Sequence, residues 1–311
     1  MKKVLITGCS GFLGSFLIDR LEMEGIRDIY GFTEVSEFSS SKLKVYHVDI
    51  RDREGVYKVI EEVKPDLTFH LAAVSNVGFS WENQKLTYEI NFIGSSNLLE
   101  ALSIFSPHCR ILLMSSAELY IASQRSLMDE STPTTARNPY ALSKFAMEMV
   151  GDLYIQSMNM EVIKLRSFNF TGPRQDRKFV ASNFSYQIAE IERGKREPVI
   201  RVGNLSAVRD ISDVRDIARY LTVIAREGKK TSIYNLCSGR TYSIRDLLDI
   251  LLSLSTEKID VVEDKARLRP IDVPRLAGDN RLIRGTFNLH PEYKIKQTLS
   301  DLLNYWRERV R

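Results

Sequence analysis

The sequence predicts an α/β protein built on a doubly wound parallel sheet, with a smaller α+β part toward the carboxyl end. Two observations support this prediction. Apolar runs of strand length alternate with helical patterns, and the first run passes directly into three closely spaced glycines, at positions 8, 11 and 14. Runs that are apolar throughout suit strands that are covered on both faces, as in parallel sheets.

Seven apolar runs define the predicted strands of the sheet. They lie at residues 4–7, 29–32, 45–48, 67–71, 111–114, 162–165 and 233–236. Helical patterns lie between or after them, at about residues 12–24, 53–63, 83–105, 138–157, 180–194, 213–227, 243–254 and 297–309. Ser243 and Asp246 have the spacing of a capping box at the start of one of these helices.

The composition is that of an ordinary globular protein and excludes several functions. The chain has 311 residues and a formal net charge of only +4, with acidic and basic residues interspersed, so no nucleic-acid partner is expected. No apolar run reaches the roughly 18 residues of a membrane span, and we expect a cytoplasmic protein with no membrane partner. The three cysteines, Cys9, Cys109 and Cys237, lack metal-ligand spacing, so reduced thiols and no metal site are expected.

The glycines after the first strand are typical of a dinucleotide-binding turn. Gly8 allows a tight exit from the strand, Gly11 lets backbone N–H groups approach a pyrophosphate, and Gly14 lets the next helix pack closely on the sheet. Phe12 and Leu13 begin that helix, whose positive end would face the phosphates. The spacing is Gly-x-x-Gly-x-x-Gly rather than Gly-x-Gly-x-x-Gly, so a purely structural turn is still an alternative at this point.

A second motif lies on the predicted helix 138–157. Tyr140 and Lys144 are four residues apart, so they share one helix face and can approach one reacting atom together. Ser115 and Ser116 directly follow the predicted fifth strand, and ligands of doubly wound sheets bind beyond such strand ends. An isolated pair of this kind is ordinary helix surface, whereas its combination with the glycine turn indicates a catalytic site.

The glycine turn together with Ser116, Tyr140 and Lys144 resembles the extended short-chain dehydrogenase/reductases. The resemblance implies a Rossmann fold that binds NAD(H) or NADP(H) and reduces a ketone. Tyr140 would donate the proton, with its phenol pKa lowered toward neutrality by Lys144 and by the oxidised nicotinamide. Lys144 would also hydrogen-bond to the nicotinamide ribose, and Ser116 would orient the carbonyl oxygen. Glu118 is either a catalytic base, as in sugar-nucleotide dehydratases, or a sugar-binding group.

Further cofactor contacts are expected where other predicted strands end. These residues are Thr33, Glu34, Asp49, Ile50, Leu71, Ala72 and Ala73, of which Asp49 and Ile50 would meet the adenine. His70, just before the small residues 71–73, is expected to be packed or hydrogen-bonded rather than a base. Glu34 favours NAD(H), because a carboxylate binds a free ribose 2′-hydroxyl and repels a 2′-phosphate. Glu34 lies one residue beyond the usual position of this acid, however. Arg20 or Lys42 could supply the positive charge that binds a 2′-phosphate.

After Phe170 the pattern becomes less regular, and residues 171–174 indicate a loop that leaves the sheet. We therefore predict a nucleotide-binding Rossmann domain over residues 1–171, to which residues 207–237 return. Residues 172–206 and 238–311 would form the substrate-binding domain.

The carboxyl half resembles GDP-4-keto-6-deoxy-D-mannose reductases in particular. The similar segments are 166–173, 179–184, 197–210, 234–239 and 268–274, and the block at 202–205 is far more specific than the glycine turn. The resemblance implies reduction of GDP-4-keto-6-deoxy-D-mannose to GDP-D-rhamnose by a homodimer that pairs through helices 83–105 and 138–157. The substrate-binding residues that it implies are Asn169, Val180, Val199, Arg201, Arg209 and Arg269, with Arg209 and Arg269 on the diphosphate.

Three departures from that family leave the sugar open. Phe170 stands where the family often has His, Ile121 where it often has Gly, and Thr286-Phe287 where it often has Gly-Trp. A heptose substrate and the talose epimer as product are therefore alternatives. The other activities left open are a GDP-mannose 4,6-dehydratase or another NAD-dependent sugar-nucleotide epimerase/dehydratase, and a non-catalytic nucleotide sensor. The proton donor Tyr140 argues against a sensor.

Overall fold

The computed structural model describes residues 2–121, 127–264 and 273–310. The strands in these ranges are β1 (Val4–Thr7), β2 (Ile29–Thr33), β3 (Lys44–His47), β4 (Leu67–His70), β5 (Arg110–Ser116), β6 (Glu161–Ser167), β7 (Asn169–Thr171), β8 (Val199–Val202), β9 (Val208–Asp213), β10 (Ile233–Leu236), β11 (Thr241–Ser243), β12 (Asp260–Glu263) and β13 (Arg275–Leu276). Seven of them form one sheet in the order β10-β6-β5-β4-β1-β2-β3, with every pair parallel. The predicted doubly wound parallel sheet is confirmed, and its winding reverses between β1 and β4.

The helices cover both faces of this sheet. They are α1 (Phe12–Met23), α2 (Arg53–Val63), α3 (Val77–Glu82), α4 (Gln84–Tyr88), α5 (Ser95–Phe105), α6 (Pro139–Met158), α7 (Val180–Glu192), α8 (Val214–Glu227), α9 (Ile244–Ser253), α10 (Arg281–Phe287) and α11 (Ile295–Arg309). Val4 and Ile6 of β1 pack into the core under α1 and α8, whereas Leu5 packs into the core under α2, α5 and α6. Because successive side chains of a strand point to opposite faces, β1 must be apolar throughout. No helix within the described residues is both long and apolar enough to cross a membrane.

The predicted helix 83–105 contains a π-helical turn. Residues Glu89–Gly94 form this turn between α4 and α5. Inside it, the buried side chain of Asn91 accepts a hydrogen bond from the N–H of Val74 (2.7 Å). Its amide group donates to the carbonyl oxygen of Val74 (2.9 Å) and to the Ser143 hydroxyl (2.9 Å). Turns of this kind recur near functional sites, and here Asn91 connects the loop after β4 to α6.

The carboxyl part adds a smaller set of strands and helices. Strand β9 pairs with β7, β11 and β13, and β8 pairs with β12. Helices α7, α9 and α11 pack over a separate apolar core. Within the segment 207–237, β9 belongs to the smaller sheet, whereas α8 and β10 join the central layers. The division into two domains at the stated residues remains a prediction.

Gly14 marks a close approach of α1 to the glycine turn. A methyl group at Gly14 would lie 2.4 Å from the carbonyl oxygen of Gly8 and 2.8 Å from that of Cys9. Backbone atoms cannot rotate away, so we expect Gly14→Ala to lower the free energy of unfolding by about 1–3 kcal/mol, measured by urea denaturation. Gly285→Ala in α10 is the control, because a methyl group there meets nothing within 4 Å. Equal losses at both positions would contradict the close-packing explanation.

Candidate active site

Three cavities lie at the carboxyl edge of the central sheet. The turn cavity, of about 260 Å³, is lined by the glycine turn, Ser116, Tyr140 and Lys144. The strand-end cavity, of about 240 Å³, is lined by the end of β2 and the loops after β3 and β4. The outer cavity, of about 420 Å³, lies between the segments 169–184 and 201–211. Gly8 and Gly11 line both the turn and the strand-end cavities, so one long ligand could extend through the two.

The structure brings every predicted cofactor residue to these two cavities. Gly8, Gly11, Phe12, Leu13, Gly14, Leu71, Ala73, Tyr140 and Lys144 line the turn cavity, and Thr33, Glu34, Asp49, Ile50 and Ala72 line the strand-end cavity. Gly8 has a φ of 69°, and a methyl group on it would lie 2.9 Å from the Ala72 backbone. Gly11 leaves the first turn of α1 without a side-chain cap. The close backbone and the uncapped helix end fit a dinucleotide pyrophosphate.

Tyr140 and Lys144 lie on the first two turns of α6. Asn138 caps this helix by accepting a hydrogen bond from the N–H of Ala141 (2.7 Å), and the Ser80 hydroxyl oxygen accepts one from the N–H of Tyr140 (3.2 Å). The Lys144 ammonium donates to the carbonyl oxygen of Met114 near the end of β5 (2.7 Å). Both side chains are buried and both line the turn cavity. The local sequence therefore fixes the start of α6 and the direction of this pair.

Burial decides the protonation of the pair. It raises the pKa of the Tyr140 phenol to about 12, and the Glu118 carboxylate adds to the rise while the Ser116 hydroxyl opposes it. It lowers the pKa of Lys144 to about 7, against the effect of Glu148. The expectation that Lys144 brings the Tyr140 pKa toward neutrality is thus wrong for the protein alone, because desolvation of the phenolate outweighs other effects. A phenol that keeps its proton at neutral pH is nevertheless the form that a proton donor requires.

Ser116 and Glu118 follow one another at the end of β5. The Ser116 hydroxyl oxygen accepts a hydrogen bond from the N–H of Glu118 (3.1 Å) and so begins a short 3₁₀ turn. That turn places Glu118 at both the turn cavity and the outer cavity. The Asn138 amide lies 3.5 Å from the Glu118 carboxylate. Glu118 therefore lies where molecules in the two cavities would meet.

His70 is buried between two hydroxyl groups, as expected of a hydrogen-bonded histidine. Its Nδ1 lies 2.7 Å from the Thr7 hydroxyl and its Nε2 lies 2.7 Å from the Ser95 hydroxyl. Ser95 donates to the carbonyl oxygen of Asn91, so the network assigns the ring proton to Nε2. Burial lowers the His70 pKa to about 3. The Thr7 oxygen accepts from the N–H groups of residues 71–72, so this chain of hydrogen bonds fixes the floor of the turn cavity.

The predicted substrate residues divide into three groups. Asn169, Val180, Arg201 and Arg209 line the outer cavity. Val199 does not line it and instead borders a separate surface hollow together with residues 195–197. Val199 and Arg201 share one face of β8, opposite Ile200 and Val202, and of these two only the longer Arg201 side chain lines both the hollow and the outer cavity. Arg269 lies outside the described residues.

Two stacked aromatic rings lie at the boundary between the turn cavity and the outer cavity. Phe12 and Phe170 are stacked with ring centroids 5.7 Å apart and planes 18° apart. Phe12 lines the turn cavity, and Phe170 lines both cavities. The departure from His at position 170 thus gives this boundary an apolar wall.

Sequence reasoning missed a buried ion pair behind the site. Arg166 of β6 donates two hydrogen bonds to Glu148 of α6, and Ser115 donates a third. The available signal was charge inside two largely apolar stretches, with Glu148 in residues 145–150 and both Lys164 and Arg166 in residues 162–166. Charges in such surroundings are rarely buried unless they are paired.

Comparisons with known proteins agree with this geometry. A family model described as GDP-mannose 4,6 dehydratase matches residues 5–302. The chain is 29% identical to GDP-6-deoxy-D-mannose reductase of Pseudomonas aeruginosa, over 100% of this chain and 99% of the relative. It is 28% identical to GDP-6-deoxy-D-talose 4-dehydrogenase of Aggregatibacter actinomycetemcomitans, over 89% of this chain and 88% of the relative. The solved structure of RMD from Pseudomonas aeruginosa complexed with NADPH has a TM-score of 0.87 and 27% identity, over 100% of both chains.

Proposed function

The chain belongs to the GDP-mannose 4,6-dehydratase family, among the extended short-chain dehydrogenase/reductases, and we propose that it reduces the 4-keto group of a GDP-4-keto-6-deoxy sugar with NAD(P)H. The proposed substrate is GDP-4-keto-6-deoxy-D-mannose, and the proposed product is GDP-D-rhamnose. One observation supports this most directly: Ser116, Tyr140 and Lys144 line a cavity at the glycine turn, while Glu118 and Asn169 line both that cavity and the larger outer cavity. A sugar carbonyl at the boundary would be near the proton donor.

In the proposed reaction the chain supplies the proton and the orientation. A nicotinamide in the turn cavity would supply the hydride. Tyr140 keeps its proton at neutral pH and donates it from the phenolic oxygen to the carbonyl oxygen, while Ser116 holds that oxygen by a hydrogen bond. Lys144, anchored on the Met114 carbonyl oxygen, holds the ribose and stabilises the phenolate that remains after proton transfer.

The outer cavity offers groups for the nucleotide part of the substrate. We assign Asn169 to the sugar or the diphosphate and Arg209 to the diphosphate, since a guanidinium group matches phosphate oxygens. Arg201 and Val180 lie on the walls where the nucleoside would bind. Arg269 keeps its proposed contact with the diphosphate, whereas Val199 is not among the residues around this cavity.

For the cofactor we propose a preference for NAD(H). Glu34 lines the strand-end cavity and would accept a hydrogen bond from a free 2′-hydroxyl. Three nearby cations that could bind a 2′-phosphate instead are held in ion pairs, namely Lys42 with Asp19 (2.6 Å), Arg20 with Glu24 (2.6 Å) and Arg51 with Asp49 (2.5 Å). The relative from Pseudomonas aeruginosa was solved with NADPH, so both cofactors belong in the assay.

The decisive experiment supplies the substrates separately. With GDP-4-keto-6-deoxy-D-mannose and NADH or NADPH, we expect NMR to detect GDP-D-rhamnose and absorbance to report the oxidised cofactor. With GDP-mannose alone we expect no reaction. Formation of the keto sugar from GDP-mannose without added reductant would establish a dehydratase instead. Formation of the 4-epimer would still identify the protein as a reductase, with GDP-6-deoxy-talose as its product.

We also propose that the protein is a homodimer that pairs through α5, α6 and the π-helical turn. Leu142, Met149 and Leu153 share one face of α6 and are 45%, 46% and 59% exposed. Ile93 and Ile104, which lie on the neighbouring helical segment and share a face, are 45% and 55% exposed. Such an apolar surface suits a contact between subunits.

A charge on the exposed face of α6 should disrupt this pairing. We expect Leu153→Asp to shift the molar mass measured by light scattering from that of a dimer to that of a monomer, because an unpaired carboxylate would be buried in the contact. Met23→Asp at the end of α1, where the side chain is 79% exposed, is the control and should stay dimeric. A dimeric Leu153→Asp variant would place the contact elsewhere.

A further inference from the structure

An ion pair is buried directly behind the proposed catalytic residues. The Arg166 Nε and Nη2 atoms donate to the Glu148 carboxylate at 3.0 and 2.8 Å. The two residues are 6% and 1% exposed. The Arg166 guanidinium carbon lies 4.9 Å from the centroid of the Tyr120 ring. The Tyr120 hydroxyl donates a hydrogen bond to Asn235 (2.6 Å). The Arg166 guanidinium therefore lies between the Glu148 carboxylate and the Tyr120 ring.

The pair is attached to the same short stretch of β5 as the catalytic residues. Glu148 is one helical turn beyond Lys144 on the same face of α6. Its carboxylate also accepts a hydrogen bond from the Ser115 hydroxyl (2.5 Å). Ser115 lies between Met114, whose carbonyl oxygen accepts from Lys144, and Ser116. A movement of the carboxylate would therefore be transmitted to both the lysine and the serine.

Several titratable groups surround Lys144, and they differ in charge. On α6 these groups are Tyr140, which is protonated, and Glu148, which is ion-paired with Arg166 of β6. From β4 the nearby group is His70, which burial keeps neutral. Glu118, after β5, acts on Tyr140. Glu148 raises the pKa of Lys144, and Arg166 reaches this site through its ion pair with Glu148.

We propose that Glu148 and Arg166 are positioning residues that hold the proton on Lys144 and hold the Ser116 end of β5 in place for the reaction. This inference rests on the proposed function. The Glu148 carboxylate favours the ammonium form of Lys144. The Arg166 guanidinium fixes the position of the carboxylate and partly neutralises its charge. A buried ion pair contributes little net stability compared with apolar side chains of similar volume, so stability alone is a weak reason for charges at this place.

The test uses opposite shifts in the pH dependence of kcat/KM for keto-sugar reduction. Glu148→Gln keeps the shape of the side chain but removes the carboxylate charge that raises the pKa of Lys144, so the alkaline limit of activity should move to lower pH by at least about half a unit. Arg166→Met leaves the carboxylate facing Lys144, so the same limit should move to higher pH. The double variant should return toward the wild-type value. If Arg166→Met does not fold, Arg166→Gln, which can still donate to Glu148, takes its place.

A second ion pair between the same helix and strand provides the matched control. Lys164 of β6 contacts Asp152 of α6 at 2.5 Å, one helical turn farther from Lys144. Asp152→Asn and Lys164→Met should leave the pH limit unchanged. If both pairs shift the limit equally, or if Glu148→Gln and Arg166→Met shift it in the same direction or not at all, the inference is wrong and the pair is merely structural.

A binding measurement separates failure of this inference from failure of the proposed function. The dissociation constants of NADH and NADPH are measured by fluorescence across pH for the same variants. Affinity should be lost at lower pH in Glu148→Gln and at higher pH in Arg166→Met, whatever the sugar substrate is. A wild-type protein that does not reduce the keto sugar would contradict the proposed function, and the binding curves would still test the ion pair.

Discussion

Replacing Tyr140 with phenylalanine is expected to lower kcat for keto-sugar reduction by about 10²–10⁴-fold, the usual contribution of a positioned proton donor. The phenol lies in the turn cavity and is only 8% exposed, so water has little access to replace it. The ring itself is retained in Tyr140→Phe, and α6 is capped by Asn138, so the helix should not change. Steady-state kinetics with the keto sugar measure the loss.

The affinity for NAD(P)H separates catalysis from binding in this experiment. We expect its dissociation constant, measured by fluorescence, to change less than about threefold, because the phenyl ring retains most of the packing. Tyr154→Phe, on the same helix but away from the cavities, is the control and should retain full activity. Retained turnover in Tyr140→Phe would remove this residue from the mechanism. Cofactor binding by a wild-type protein without turnover would instead support a sensor.

Replacing Lys144 with methionine is expected to reduce both binding and turnover. A charge-assisted hydrogen bond is worth about 1.5–3 kcal/mol, so the dissociation constant for NAD(P)H should rise by roughly 10–100-fold. The loss in kcat/KM should be larger still, because the phenolate formed from Tyr140 would lose its neighbouring cation. Fluorescence titration and initial rates measure the two effects separately.

The pH dependence of the wild-type protein gives an internal check on Lys144. Burial lowers its pKa to about 7, and a bound ribose oxygen stabilises the ammonium form, so affinity should fall as the pH rises through the Lys144 pKa. In Lys144→Met this dependence should disappear. Lys85→Met on α4 removes a lysine whose side chain is 90% exposed and should preserve it. An unchanged pH dependence in Lys144→Met would assign the titration to another group.

The central sheet could be predicted from the sequence because its strands are buried on both faces. The apolar run 4–7 needs no periodic pattern to be recognised, since every residue in it packs into one of the two cores or against the site. Strand β5 extends beyond its predicted run because Ser115 and Ser116 still pair with β6, as buried polar residues. Hydrophobicity alone therefore could not predict where a strand ends when its last residues are polar.

The sequence did not predict the short helices, and among the described residues it also did not predict the six strands outside the central sheet. Helix α3 depends on Asn76, whose side chain accepts a hydrogen bond from the N–H of Phe79 (2.9 Å). Helix α10 ends at Asn288 in a left-handed conformation and buries Phe287 against Tyr234. Helices of this length contain too few residues for a periodic pattern and are stabilised by tertiary contacts.

The sequence could predict most of the residues that line the cavities, but it could not predict the electrostatics of the candidate site. Ser116, Tyr140 and Lys144 could be found from their spacing and from their relation to strand ends. The direction in which the Tyr140 pKa shifts could not be predicted, because it depends on how completely the phenol is removed from water. The contact between Glu148 and Arg166 was equally hidden, because only the packing of α6 on β6 shows that the two residues meet.

The stacked rings of Phe12 and Phe170 lie at the boundary between the turn cavity and the outer cavity, so we expect a ligand in one cavity to affect binding in the other. A side-chain change at Glu118, Asn169 or Phe170 alters the surroundings of both cavities at once, because each of these residues borders both. Titrating one ligand into the protein alone measures the affinity of that ligand but gives no information about its coupling to the other. Only a full thermodynamic square, with each ligand titrated in the absence and presence of its neighbour, separates direct contact from coupling across this boundary.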